Sequence, residues 1–174
     1  MDANREYKSS VFTALFNDHD SLLELYNALS GDNFDADTKI GINTLKNVLY
    51  MGIYNDVSFT IDDKIVCLIE HQSTISENLP LRLLMYMARV YERIIDRKAV
   101  LMKSLVKIPT PEFIVLYNGT QDSPAERTLK LSDAFKEVPK CSVELGSLEL
   151  TVRILNINPI SSSLTNPQDL LKPA

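Results

Sequence analysis

The chain has 174 residues, 45% of them apolar and 24% charged, with 18 Lys and Arg against 23 Asp and Glu for a formal net charge of −5. That length suits one domain whose core needs no disulfide or metal staple. The balance excludes a histone-like polycation, and two cysteines, Cys67 and Cys141, make neither a disulfide framework nor a four-ligand zinc site.

The N-terminus is polar and carries no signal-peptide stretch, and no run reaches the ~18 apolar residues of a membrane span. The expectation is a soluble, cytoplasmic protein with no membrane partner. Residues 1–37 hold eight acids and two bases. Within them Val11, Leu15, Leu22, Leu25 and Leu29 recur at helical spacing, which predicts one or two helices over about 8–30, with a break near 17–20. Ser30-Gly31 stops the pattern, and the polar run 31–38 reads as a loop. Asn47–Tyr54 is apolar enough to begin a first strand.

Asp56–Ile61 alternates polar and apolar residues, as a half-buried strand does. Asp62-Asp63-Lys64 is the turn candidate, although it lacks glycine. Ile65–Ile69 is a buried strand running into Glu70-His71-Gln72. Pro80 suits a first helical turn, and a helical period continues from Leu81 to about Ser104. Glu112–Tyr117 is an apolar strand closed by Asn118-Gly119. A short helix near 130–135 and a strand over 148–155 follow, and the Ser-, Asn- and Pro-rich segment 156–174 has no period. The order α, β, β, β, α, β predicts one mixed α/β domain over 1–155 with an irregular tail over 156–174.

A three-residue turn at 62–64 makes hairpin partners sum to 126, so Asp56 falls opposite Glu70. Side chains alternate along a strand, so Gln72 shares that face. Two close carboxylates at an apolar sheet edge repel one another and are costly to desolvate. One solution is a divalent cation: Mg²⁺ takes hard oxygen ligands, one or two carboxylates plus waters and substrate phosphate, and lowers the pKa of a water. The other is structural, with Asp56 capping a turn and Glu70 paired to a basic helix residue. Both readings stay open at this level.

The stretch 80–110 holds seven bases and two acids, a basic island in an acidic chain. Arg82, Tyr86, Arg89, Arg93 and Arg97 step by four, three, four and four, one stripe of a helix, while Leu83, Met87, Val90 and Ile94 form a separate apolar stripe. Guanidiniums on such a stripe suit phosphodiester binding; the alternative is a solvated, ion-paired face. His71 has the wrong parity for the carboxylate face, and His19 lies in a polar run. No Ser–His or Cys–His arrangement and no phosphate-cradling glycine loop is present, so triad and P-loop chemistry are disfavoured and no organic cofactor is expected.

The blocks Thr44–Phe59, Ile69-Glu-His-Gln-Ser-Thr, Asn78-Leu-Pro-Leu-Arg and Pro111–Gly119, in that order, resemble the Rpn family. These are bacterial recombination-promoting nucleases, also labelled transposases, placed in the PD-(D/E)XK nuclease superfamily. The resemblance covers about residues 8–158. It implies a restriction-endonuclease-like αβββαβ core, a mixed central sheet flanked by helices, and metal-dependent hydrolysis of DNA. By motif position Asp56 resembles the superfamily's Asp and Glu70 its Asp/Glu, the pair that would hold Mg²⁺ or Mn²⁺. Gln72 stands where the wider superfamily usually has Lys, and a Glu-x-Gln form is familiar in the Rpn-like branch. Asp56, Glu70 and Gln72 are thus the implied catalytic set. Arg82, Tyr86, Arg89 and Arg93 are the candidate DNA contacts, and Glu24 is a candidate auxiliary carboxylate. Resembling proteins continue past residue 156 into more helix. A catalytically inactive or truncated nuclease-fold module that binds DNA or a protein partner is therefore the alternative, and a homo-oligomer stays open.

Overall fold

A computed structural model describes residues 14–16, 18–42, 57–136 and 147–158. The first long helix, α1 (His19–Ser30), begins where the side chain of Asp18 accepts a hydrogen bond from the Ser21 N–H. It ends at Gly31, whose φ of 77° lets its N–H reach the Asn27 carbonyl. Asp18 therefore marks the break expected near 17–20.

Among the described residues six strands follow: β1 (Ile40–Ile42), β2 (Val57–Ile61), β3 (Ile65–Gln72), β4 (Thr110–Tyr117), β5 (Glu126–Lys130) and β6 (Thr151–Asn156). They form one sheet in the order β1-β2-β3-β4-β6-β5. It is mixed: β3 runs parallel to β4 and β4 to β6, and the other three pairings are antiparallel. The α/β class and a nuclease-like core are as expected, with α1, β1, β2, β3, a helix and β4 in the αβββαβ order. The β2–β3 register pairs Val57 with Ile69 and Ile61 with Ile65, the arithmetic of a three-residue turn. Asp62 and Asp63 supply the turn at φ of 49° and 54°, the left-handed region that Asp tolerates better than most non-glycine residues.

Two helices connect β3 to β4, namely α2 (Leu79–Ile94) and the single turn α3 (Arg97–Val100). Pro80 sits in the first turn of α2, where its missing N–H is harmless. The helical period does not run unbroken to Ser104. Ile95 is extended, and the Asp96 carboxylate caps a new turn by accepting from Lys98 N–H. This cap overrides the apolar periodicity, so Leu101, Met102 and Leu105 are exposed. β1 and β5 were not legible as strands, and the short helix near 130–135 is a 3₁₀ turn, Leu131–Ala134. The strand expected at 47–54 lies outside the described residues, as do Asp56 and the segment 159–174.

The sheet carries a helix on each face. Leu22 and Tyr26 of α1 pack on Val57, Phe59, Ile61, Cys67, Ile69, Ile114 and Leu116. Leu79, Leu83, Tyr86, Met87 and Val90 of α2 pack on Val66, Leu68, Val115, Val152 and Ile154, among others. Each fully buried side chain of this size contributes about 1.5–3 kcal/mol, so both helices are anchored by burial more than by helix propensity. Beyond β4, Gly119 lies so close to the Ser73 carbonyl and the Tyr117 ring that a Cβ there would collide with both.

Candidate functional site

Strand alternation sets the site. On β3, Val66 and Leu68 face α2, so Glu70 and Gln72 face it too. The connection 73–78 is short, which brings the first turn of α2 back beside the end of β3. Glu70 is 2% and Gln72 9% exposed, an unusual burial for such groups at a strand end. The Gln72 Nε2 donates to Glu70 Oε2 at 2.7 Å, and Arg82 Nη2 stands 3.5 Å from the same oxygen. At that distance the guanidinium acts mainly as a charge. Arg82 Nη2 also lies 3.5 Å from the hydroxyl oxygen of Tyr86, so the network runs Tyr86, Arg82, Glu70, Gln72.

A buried carboxylate is costly without a partner, and here a cation and an amide N–H share one of its oxygens. Gln72 is polarised by this arrangement. One of its amide N–H groups donates to Glu70, while its Oε1 is buried and meets no hydrogen-bond donor among the described residues. An acceptor in that position is ordinarily satisfied by water or an ion. The donor chemistry, a carboxylate beside an amide oxygen, suits a hard cation such as Mg²⁺. Among the described residues no group of three or more His, Cys, Asp or Glu side chains converges on one point. A Mg²⁺ site does not require one, because waters complete its octahedron.

The candidate residues separate. Glu70, Gln72 and Arg82 are brought together, whereas Asp56 lies outside the described residues. The expected basic stripe divides: Arg82 turns toward Glu70, and Tyr86 is buried in the core rather than presented to a ligand. Arg89 and Arg93 remain exposed, with Arg89 paired to Glu92 at 2.7 Å, and Arg97 belongs to α3. Glu24 is exposed on α1, whose buried residues cover the opposite face of the sheet, so it is not brought to Glu70. The reason is layer order, because α1 and α2 lie on different faces.

Other titratable groups are structural. Cys67 is wholly buried, which pushes its thiol well above the usual range and leaves it no nucleophile. Burial, then the neighbouring Glu112, likewise raises Tyr26, whose hydroxyl donates to Glu112 Oε2 at 3.2 Å. The His19 pKa is raised, first by its hydrogen bond to Asp20 and then by one to the Thr38 carbonyl. Both partners are acceptors, at 2.8 and 2.7 Å, so the ring is satisfied best as imidazolium.

The role of Arg82 as partner of Glu70 was only half legible. The open structural reading asked for a basic helix residue, and Pro80 was the signal that could have named it by starting α2 just two residues earlier.

A family model described as "Putative transposase, YhgA-like" matches residues 53–161. The chain belongs to the YhgA-like transposase family. The matched segment spans β2 to β6, including Glu70, Gln72 and all of α2, and starts ahead of Asp56. No curated protein and no solved structure matches the chain. Membership ties this YhgA-like protein to a transposase- or nuclease-related role. No helix among its described residues is long and apolar enough to cross a membrane.

Proposed function

We propose that this YhgA-like protein is a metal-dependent DNA endonuclease acting in recombination or mobile-element biology. The observation that carries the reading is the buried Glu70–Gln72 pair at the end of β3, with Gln72 Oε1 an acceptor that meets no donor among the described residues. Glu70 and Asp56 would hold Mg²⁺ or Mn²⁺; Asp56 is assigned from the sequence, where it directly precedes β2. The ion supplies charge neutralisation at phosphorus and a more acidic water.

The remaining work falls to the chain. Gln72 Oε1 accepts a hydrogen bond from the attacking water and orients it. The water oxygen forms the new bond to phosphorus, one water proton passes to solvent, the bond to a sugar oxygen breaks, and that oxygen is reprotonated. Gln72 is neutral and takes no proton itself. Arg89 and Arg93, which are exposed on α2, would hold backbone phosphates.

One observation favours a second reading. Arg82 already compensates Glu70, as a purely structural ion pair would. The protein would then be a non-catalytic nuclease-fold module that binds DNA or a protein partner. Plasmid nicking with Mg²⁺ or Mn²⁺, against the same protein in EDTA, decides between them. Metal-dependent nicks that disappear in Glu70→Gln support the enzyme. DNA retention without nicking under every metal tested supports the module.

A further inference from the structure

We propose that Arg82 provides the positive charge that this site's chemistry requires and that Gln72 cannot supply, working from helix α2 and across Glu70 rather than from the strand. The proposal rests on the nuclease reading above and names how its site is completed. It reassigns Arg82 from gripping DNA at a distance to acting beside the reacting phosphate.

Three observations converge on it. Gln72 is neutral, and one of its N–H groups is engaged by Glu70 Oε2, so it can offer the reaction hydrogen bonds but no positive charge. The Arg82 guanidinium is set against that same Oε2 at 3.5 Å, placing a permanent cation next to the Glu–Gln pair. Finally, burial differs sharply across the pair. The Glu70 side chain is 3% exposed and that of Arg82 35%, so the arginine side chain links the buried carboxylate to the surface of the fold. The hydroxyl of buried Tyr86 lies 3.5 Å from the same Nη2, which gives the guanidinium a second polar neighbour.

Charge accumulates on the phosphoryl oxygens as water attacks, and a preorganised cation at the rim stabilises it without reorganising. Arginine stays protonated at any pH the protein survives, so Arg82 neither gives nor takes the proton in the hydrolysis written above. Its contribution is electrostatic, and the charge can therefore be moved. A lysine at position 72 would carry it on the strand instead.

The test compares the natural protein, Arg82→Gln, Gln72→Lys and the paired variant Arg82→Gln/Gln72→Lys. Plasmid-nicking kinetics are measured with Mg²⁺, Mg²⁺ binding without DNA by calorimetry, and folding by thermal melting. Arg82→Gln should lose roughly 10²–10³ in kcat, with KM for DNA changed by less than about threefold. It should bind Mg²⁺ as well as the natural protein or better, because a competing cation has left Glu70. The paired variant should regain kcat to within about tenfold of the natural protein.

A rise in KM with kcat unchanged returns Arg82 to phosphate gripping and overturns the proposal. A folded paired variant that stays as slow as Arg82→Gln also overturns it. Where Arg82→Gln alone does not fold, the paired variant is read by itself: cutting supports the proposal, while an inactive or unfolded protein overturns it. A natural protein that cuts, with Arg82→Gln cutting equally well, removes this inference and leaves the nuclease reading intact. A natural protein that neither cuts nor binds Mg²⁺ removes both.

Discussion

Against α1 the sheet presents a cluster of Val57, Phe59, Ile61, Cys67, Ile69, Ile114 and Leu116. Against α2 the same strands present Val66, Leu68 and Val115, and then break the pattern with Glu70 and Gln72. Both faces contain a carboxylate bonded to a partner from the helix layer, yet the two are handled differently. Glu112 sits partly exposed and takes a neutral hydroxyl from Tyr26, a low-cost arrangement at the margin of a core. Glu70 is buried and has a guanidinium and an amide arranged around one oxygen. A fold that needed only stability could place another hydrophobic residue at 70, because apolar replacement of buried ion pairs is often neutral or stabilising. Under the proposed function, the contrast assigns the site to the α2 face and leaves the α1 face to stability.

The largest expected effect tests that division directly. Glu70→Gln keeps the shape and removes the charge, so metal-dependent nicking should fall by roughly 10³-fold or more. Thermal melting should show the metal-free fold retained at a modest loss of stability, because the Arg82 charge left behind belongs to a side chain that is 35% exposed. A variant that loses its fold along with its activity would place Glu70 among the structural residues. On the other face, Phe59→Ala should destabilise by about 3–5 kcal/mol in urea unfolding, since the ring is fully buried between α1 and the sheet. Its kcat, measured well below the unfolding midpoint, should be unchanged; a large loss of kcat would blur the two faces.

Smaller effects sharpen the same map. Arg89→Ala and Arg93→Ala should each lower the salt dependence of DNA binding by about one unit of slope while sparing kcat. An unchanged slope would mark them as solvated, with Arg89 merely serving Glu92. The least effect is expected at His19, which joins α1 to the carbonyl of Thr38 before β1. Its folded-state pKa is raised, so its contribution is complete below the unfolded value near 6.5 and fades as pH rises through the higher folded value. His19→Gln should flatten stability across that window and leave nicking untouched. A pH profile of melting identical to that of the natural protein would remove the imidazolium assignment.

Much of this architecture could be read from residue pattern. The β2–β3 hairpin was legible because alternation and a three-residue turn fix a register, and the register observed is the one that arithmetic requires. The helix start at Pro80 and the stop at Gly31 were legible because each is a local backbone constraint. What escaped depended on tertiary context. β5, Glu126–Lys130, is an edge strand with Leu129 alone buried, so it carries almost no hydrophobic period. The end of α2 at Ile94 is decided by Asp96 capping a new turn in competition with a continuing apolar pattern. The helical spacing of Arg82, Tyr86, Arg89 and Arg93 was visible, but spacing cannot say how far a helix rotates toward its sheet. That rotation buries Tyr86 and turns Arg82 to Glu70.

The crowding at Gly119 makes this residue a hidden constraint on the end of β3. A side chain there would have to lever the Ser73 carbonyl away from the Tyr117 ring, and Asn118, whose N–H holds the Gln72 carbonyl, is the adjoining residue. A single-codon change to alanine would therefore spread the ends of β3 and β4 where Gln72 is positioned, while leaving every acid and base in place. A copy changed in this way would lose the proposed activity and still display an intact set of motif residues. Whether such a copy has decayed is better judged at this glycine than at its carboxylates.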